Sequence, residues 1–362
     1  MQGACVACAA LIEAHRRFAF WLFTDNYADG ATIQRVCRAR GHCSLHAAEF
    51  VRAGAFEQAS TLYEYVVNSG SGKIKQRLRK RWPPRLLLDP PAPCPWCEHE
   101  CAVLDRTLTA PKDRGQLCLA HAEQRSSLGG RSSFGFDGPQ VPIEALEPLP
   151  YNRTSTRMLW SQTVTDLAIL LQGPCPPCVI GAQGERRRIE FFVGGPSYPS
   201  ESWQLPELCV RHWFVYNASP LIAQEGNTRA LRPVQAIVPS LKCHICRTAW
   251  NSARRLCRLI GVALRDPSLM VVYRAGPGVC LMHLNTLVES IDDALGRTVL
   301  EAATIRLDSL GWELAERARK RAWQHRDEPS GSETDAPARA LWAIAGGVAR
   351  EPSAKGFATR LA

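Results

Sequence analysis

The sequence predicts an all-α protein, and three observations carry that prediction. Apolar residues recur every three or four positions through most of the chain, the period of a helix with one buried face. No segment sustains the period-two alternation of a half-buried strand. Four Cys-x-x-Cys pairs alternate in strict order with four Cys-x-x-His pairs, and each Cys-x-x-His stands where a helical pattern begins.

The pairs give the chain its order. "CVAC" supplies Cys5 and Cys8, and "GHCSLH" supplies Cys43 and His46; "CPWC" supplies Cys94 and Cys97, and "GQLCLAH" supplies Cys118 and His121. In the second half "CPPC" holds Cys175 and Cys178, "ELCVRH" holds Cys209 and His212, "CHIC" holds Cys243 and Cys246, and "GVCLMH" holds Cys280 and His283. The first module, 1–72, opens with Leu11, Ile12, Phe18 and Leu22 in a helical pattern and closes with the helix "FEQASTLYEYVVNS" before "GSG". Residues 73–93 read as a basic helix end and a proline-rich connector. The short second module and a Gly/Ser/Pro-rich linker take 94–152, and "STRMLWSQTVTDLAILLQ" leads the third module, 153–238.

The fourth module, 239–326, spaces Trp250, Leu256, Ile260 and Leu264 as one helix. From Cys280 the series Leu284, Leu287, Ile291, Leu295, Val299, Ala302 and Ile305 predicts a single long amphipathic helix toward His325, with Gly296 and Gly311 as places to bend. Residues 327–362 read as a polar linker and tail in which "ALWAIAGG" is at most a short docking helix.

The spacing is that of metal ligands. Two ligands three residues apart at a helix start share a face, and the exposed amides there favour thiolate over thiol. Gly41, Gly115, Pro206 and Gly278 precede these helices, where the chain must reverse. Twelve of the fifteen cysteines fall in the eight pairs, and a disulfide framework has no need of a histidine after every fourth one. The intervals of 34, 20, 30 and 33 residues fit one helix plus a return loop. Each Cys-x-x-Cys is therefore expected to share an ion with the Cys-x-x-His that follows it. The expected architecture is four degenerate zinc-stapled helix–loop–helix modules, ending in a long amphipathic helix. It would hold about four zinc ions in closed Cys3His sites. Zinc is preferred to iron–sulfur clusters because histidine ligation of clusters is the rarer pattern. Cys37, His42, Cys101, His244 and Cys257 read as bystanders.

Proline-flanked Cys-x-x-Cys, a helix, then Gly-x-Cys-x-x-His resembles a bacterial family of uncharacterised proteins built from such repeats. "GHCSLHAAEFVRAGAFEQASTLYEYVV" carries the likeness, as do Glu316, Arg319, Lys320, Trp323 and Glu328 near the end. The missing prolines in "CVAC" and "CHIC" and the reduced second module depart from it. The resemblance implies metal sites and helices and names no activity.

No motif proposes an enzyme. "NSGSGKIK" fails as a phosphate loop because Val67 stands where glycine is needed. The formal charge of +10 is concentrated in two runs. One holds Lys73, Lys75, Arg77, Arg79, Lys80 and Arg81 with Trp82, and the other holds Arg319 and Lys320 with Trp323. Basic runs with an aromatic suit phosphate contact and base stacking, and they equally suit a solvated helix end. Two function classes follow. One is a non-catalytic zinc protein presenting basic helical surfaces to a nucleic-acid or protein partner. The other is a redox or electron-transfer protein with iron–sulfur clusters or switchable thiols at the same residues. No stretch has the length of apolar sequence that crosses a membrane. The N-terminal pattern is interrupted by Glu13, His15, Arg16 and Arg17, so a cytoplasmic location is expected.

Overall fold

In a computed structural model, residues 6–79, 92–109, 156–194, 243–325 and 327–346 are described. Among them are twelve α-helices, three short 3-10 turns and no strand. In chain order the helices are α1 (Val6–Thr24), α2 (Gly30–Arg38), α3 (Ser44–Arg52), α4 (Phe56–Arg79), α5 (Pro95–Thr109) and α6 (Thr156–Leu171). They continue with α7 (Pro176–Gly194), α8 (His244–Ala263), α9 (Pro267–Ala275), α10 (Leu281–Glu289), α11 (Asp293–Lys320) and α12 (Ala336–Ala345). No single helix among the described residues is long and apolar enough to cross a membrane.

Aspartates start three of these helices. Asp29, Asp266 and Asp292 accept hydrogen bonds from the amides of Thr32, Ser268 and Leu295 at 2.8, 2.9 and 3.0 Å. Each satisfies an amide that the first turn leaves unpaired, worth about 1 kcal/mol. The Asp292 cap corrects one expectation. The long helix foreseen from Cys280 is two, because Ser290 ends α10 and Asp292 starts α11. The periodicity survives the break because both helices bury one stripe. Its phase drifts, however: Ile305 faces solvent while Leu307, Leu310 and Leu314 are buried. α4 shows the opposite deviation. It runs on through Gly70 and Gly72 to Arg79, past the expected stop at "GSG".

Chain contacts divide the molecule into two units, each drawn from three separated stretches. The larger comprises Trp21–Cys94, Val141–Val179 and Ala253–Ala362. Its core is α4 laid along α11, with α12 packed on both. Small residues permit that approach: a Cβ on Gly311 would come within 2.5 Å of Asn68 Oδ1, and one on Gly70 would sit 3.5 Å from Leu281. Asp308 of α11 accepts from Ser71 at 2.5 Å and pairs with Lys75 at 2.7 Å, tying the two helices on their polar side. The α12 sequence "APARALWAIA" buries Ala336, Ala338, Ala340, Leu341, Ile344 and Ala345. It is a core element where the sequence promised a short docking helix at most.

The smaller unit comprises Met1–Phe20, Pro95–Gln140 and Ile180–Ser252. In it Ala7 and Leu11 of α1 pack on Leu104 and Leu108 of α5. Phe18 lies 5.1 Å from the Trp96 ring, and His15 Nδ1 is 2.7 Å from the Glu100 carboxylate. Further along, Arg188 of α7 holds the His244 ring at 3.1 Å.

Candidate metal centres

The local geometry of the ligand pairs follows from helix starts. Cys43 is the N-cap of α3 with φ −63° and ψ 163°, and Cys280 is the N-cap of α10 with φ −67° and ψ 162°. Their carbonyls accept the first helical bonds, from Ala47 at 2.8 Å and Leu284 at 2.9 Å. His46 and His283 stand three residues on and both are buried. The Cys-x-x-Cys pairs repeat the arrangement: α5, α7 and α8 begin at Pro95, Pro176 and His244, the residue after the first cysteine of each. Proline suits the first helical position because its missing N–H would have no partner there. Gly41 and Gly278 make the reversal ahead of the Cys-x-x-His helices at φ +91° and +69°, where other residues are strained.

Within the larger unit, Cys175, Cys178, Cys280 and His283 each bring one ligand atom within 4.8 Å of all the others. His283 Nδ1 lies 3.6, 3.2 and 3.3 Å from the sulfurs of Cys175, Cys178 and Cys280, and the last two sulfurs are 3.7 Å apart. Metal–sulfur bonds of about 2.3 Å and metal–nitrogen bonds of about 2.0–2.1 Å give a tetrahedron with S···S edges of about 3.8 Å and S···N edges of about 3.5 Å. The measured distances match those edges. They are far from the roughly 2.05 Å of a disulfide.

Cys43, His46, Cys94 and Cys97 form a second such set. His46 Nδ1 is 3.3 Å from Cys43 Sγ and 3.5 Å from Cys94 Sγ, and Cys97 follows Cys94 by one turn at the start of α5. Both histidines offer the same ring nitrogen.

The composition of the sets corrects the expected pairing. Cys43 and His46 do not join the Cys-x-x-Cys before them but the one after, and Cys280 and His283 join Cys175 and Cys178 rather than Cys243 and Cys246. The physical reason is one of range. A pair three residues apart is fixed by one turn of helix, whereas its partner is fixed by which helices pack, and no local spacing encodes that. Cys243 and Cys246 are buried at the start of α8. Cys5, Cys118, His121, Cys209, His212 and the Cys8 side chain lie outside the described residues.

The electrostatics of the first set suit a cation. Burial would raise the Cys175 thiol, but hydrogen bonding with Cys178, Cys280 and His283 carries it well below its ordinary value. Cys280 is driven the other way by its bonds to Cys175 and Cys178 and by burial. One thiolate thus forms at the expense of its neighbours, and a divalent cation would let every sulfur ionise. Cys257, outside the set, is pushed up by burial and remains a thiol whose Sγ lies 3.9 Å from the His283 carbonyl.

Two supports escaped the sequence reading. Gly346 ends α12 at φ +73°, and a Cβ there would overlap Cys178 Sγ and lie 3.0 Å from Cys280 Sγ. The "GG" was the available signal. His42, held to about 3 by burial and the nearby His46, donates its backbone N–H to the buried Tyr63 hydroxyl at 3.3 Å. Gly41 meanwhile packs against Ile344 of α12. α12 therefore touches both ligand sets of the larger unit.

The basic runs are only partly available to a partner. Arg319 pairs with Glu316 and Glu328, Lys320 with Glu333 at 2.9 Å, and Lys75 with Asp308. Lys73 and Arg79 on α4 and Trp323 are exposed, and Arg77 is half-buried. Lys80, Arg81 and Trp82 lie outside the described residues. No protein family, curated protein or solved structure matches the chain.

Proposed function

We propose that this is a non-catalytic zinc protein whose metal ions staple helix starts together. The tetrahedral edge lengths of Cys175, Cys178, Cys280 and His283 carry the reading. Four protein ligands close the coordination sphere, whereas a catalytic zinc keeps a position for water. Zinc with three thiolates and one imidazole supplies structural free energy and no redox chemistry. The helices so fixed present the exposed basic end of α4, Lys73, Arg77 and Arg79, to a partner. Nucleic acid suits it best, because the C-terminal cations Arg319 and Lys320 are spent on carboxylates within the fold.

Substitution by Co2+ tests the closed site. The loaded protein should show the intense visible bands of four-coordinate cobalt, unchanged by added azide. A spectrum that shifts with azide would reveal an open position and a catalytic metal. Protein isolated with bound iron and broad visible absorption would favour the electron-transfer reading instead.

A further inference from the structure

The two described sets share one local design yet take their partners at different offsets. In chain order the eight pairs form the same series twice: Cys-x-x-Cys, Cys-x-x-His, Cys-x-x-Cys, Cys-x-x-His. In the first half the two inner pairs meet, Cys43/His46 with Cys94/Cys97. In the second half the two outer pairs meet, Cys175/Cys178 with Cys280/His283. A single nested plan, inner with inner and outer with outer, contains both observations. Pairing of neighbours in order contains neither.

We infer that a third metal ion is held by Cys243 and Cys246 together with Cys209 and His212, the inner pairs of the second half. The same plan assigns a fourth to Cys5, Cys8, Cys118 and His121, the outer pairs of the first. This rests on the structural-zinc reading above and adds the register in which the chain is stapled.

Three observations support it. Cys243 is fully buried and Cys246 is 9% exposed, set before and within the first turn of α8 as Cys175 and Cys178 are set on α7. The division into units agrees: the smaller unit holds all eight residues of the inferred sites, and the larger holds every ligand of the two described sets except Cys97, one turn past its boundary. Pairing of neighbours would instead draw every set from both units. The spans agree as well. Between Cys8 and Cys118 lie 109 residues, and between Cys178 and Cys280 lie 101, so the outer loops of the two halves are of one size.

Counting ions in full-length variants by native mass spectrometry tests the register. Cys243→Ser and His212→Ala should each remove one zinc, and the double variant should remove the same single zinc, since both residues serve one ion. If they serve different ions, the double variant loses two, and the nested register is wrong. Wild-type protein with no zinc at all would instead overturn the structural-zinc reading on which the register rests. If His212→Ala strips more than one ion, His212→Cys keeps four ligands and replaces it. In Co2+-loaded protein His212→Cys should strengthen the thiolate charge-transfer band. Adding Cys243→Ser should cancel that gain in the nested register, and a gain that persists would contradict it.

Discussion

His283 gives its Nδ1 to three sulfurs at once, so it is the residue whose loss is felt most directly at its site. His283→Ala should remove one zinc and loosen α10, read as a lost ion by mass and a lower unfolding midpoint. Cys257→Ala, a buried neighbour outside the set, should keep full zinc and cost about 1 kcal/mol of packing. Gly346 makes a finer test. Alanine there must adopt a left-handed backbone, costing about 1–2 kcal/mol, and must also displace Cys178 Sγ. Gly346→Ala should therefore lower the unfolding midpoint by several degrees and speed zinc loss to a chelator, while the control Gly54→Ala, equally left-handed with open space around it, should show the backbone cost alone. Equal zinc retention in the two variants would show that Gly346 does not seat the metal site. The ligand pairs themselves were legible at this scale, because an N-cap cysteine and a ligand three residues later are set by one helical turn and by the turn glycines Gly41 and Gly278.

Helices are where the sequence became harder to read. Helix content follows from apolar spacing, but the break between α10 and α11 depends on one aspartate cap. The continuation of α4 through Gly70 and Gly72 depends on Leu281 and Leu307 packing against Gly70. Burial of α12 was invisible for the same reason: an alanine-rich helix has little amphipathic signal, and its value lies in how closely it lets α4 and α11 approach. The link into α12 has a titratable element. The Gly331 amide, then Lys320, hold the Glu333 carboxyl down to about 2. A carboxylate depressed in the folded state contributes above its unfolded value of about 4.3, and that contribution fades as pH falls toward 2. Wild type should thus lose stability between about pH 4.5 and 2 more steeply than Glu333→Gln, measured by urea midpoints. Parallel profiles would show that Glu333 contributes nothing there. At the basic end of α4, charge reversal of Lys73, Arg77 and Arg79 should weaken salt-dependent nucleic-acid binding and flatten its salt slope. Arg319→Glu should instead act on stability, because its carboxylate partners would be left facing a like charge.

At the scale of the whole molecule the lesson is about pairing. Every described ligand pair could be named from spacing, yet neither described set joins the pairs that adjacency suggested. The choice of partner is made by tertiary packing, by α12 touching both sets of the larger unit and by the way the chain returns on itself, and these are long-range facts. Metal binding then becomes part of folding free energy, since no preformed site exists in the unfolded chain. The most direct measurement is the zinc content of full-length protein prepared without chelator, followed by far-UV circular dichroism during titration with a strong chelator. The expected result is close to four zinc ions per chain, colourless protein, and helical signal lost as zinc is withdrawn. One ion or none, or a fold that outlasts complete removal of zinc, would contradict the structural role assigned to these cysteine and histidine sets.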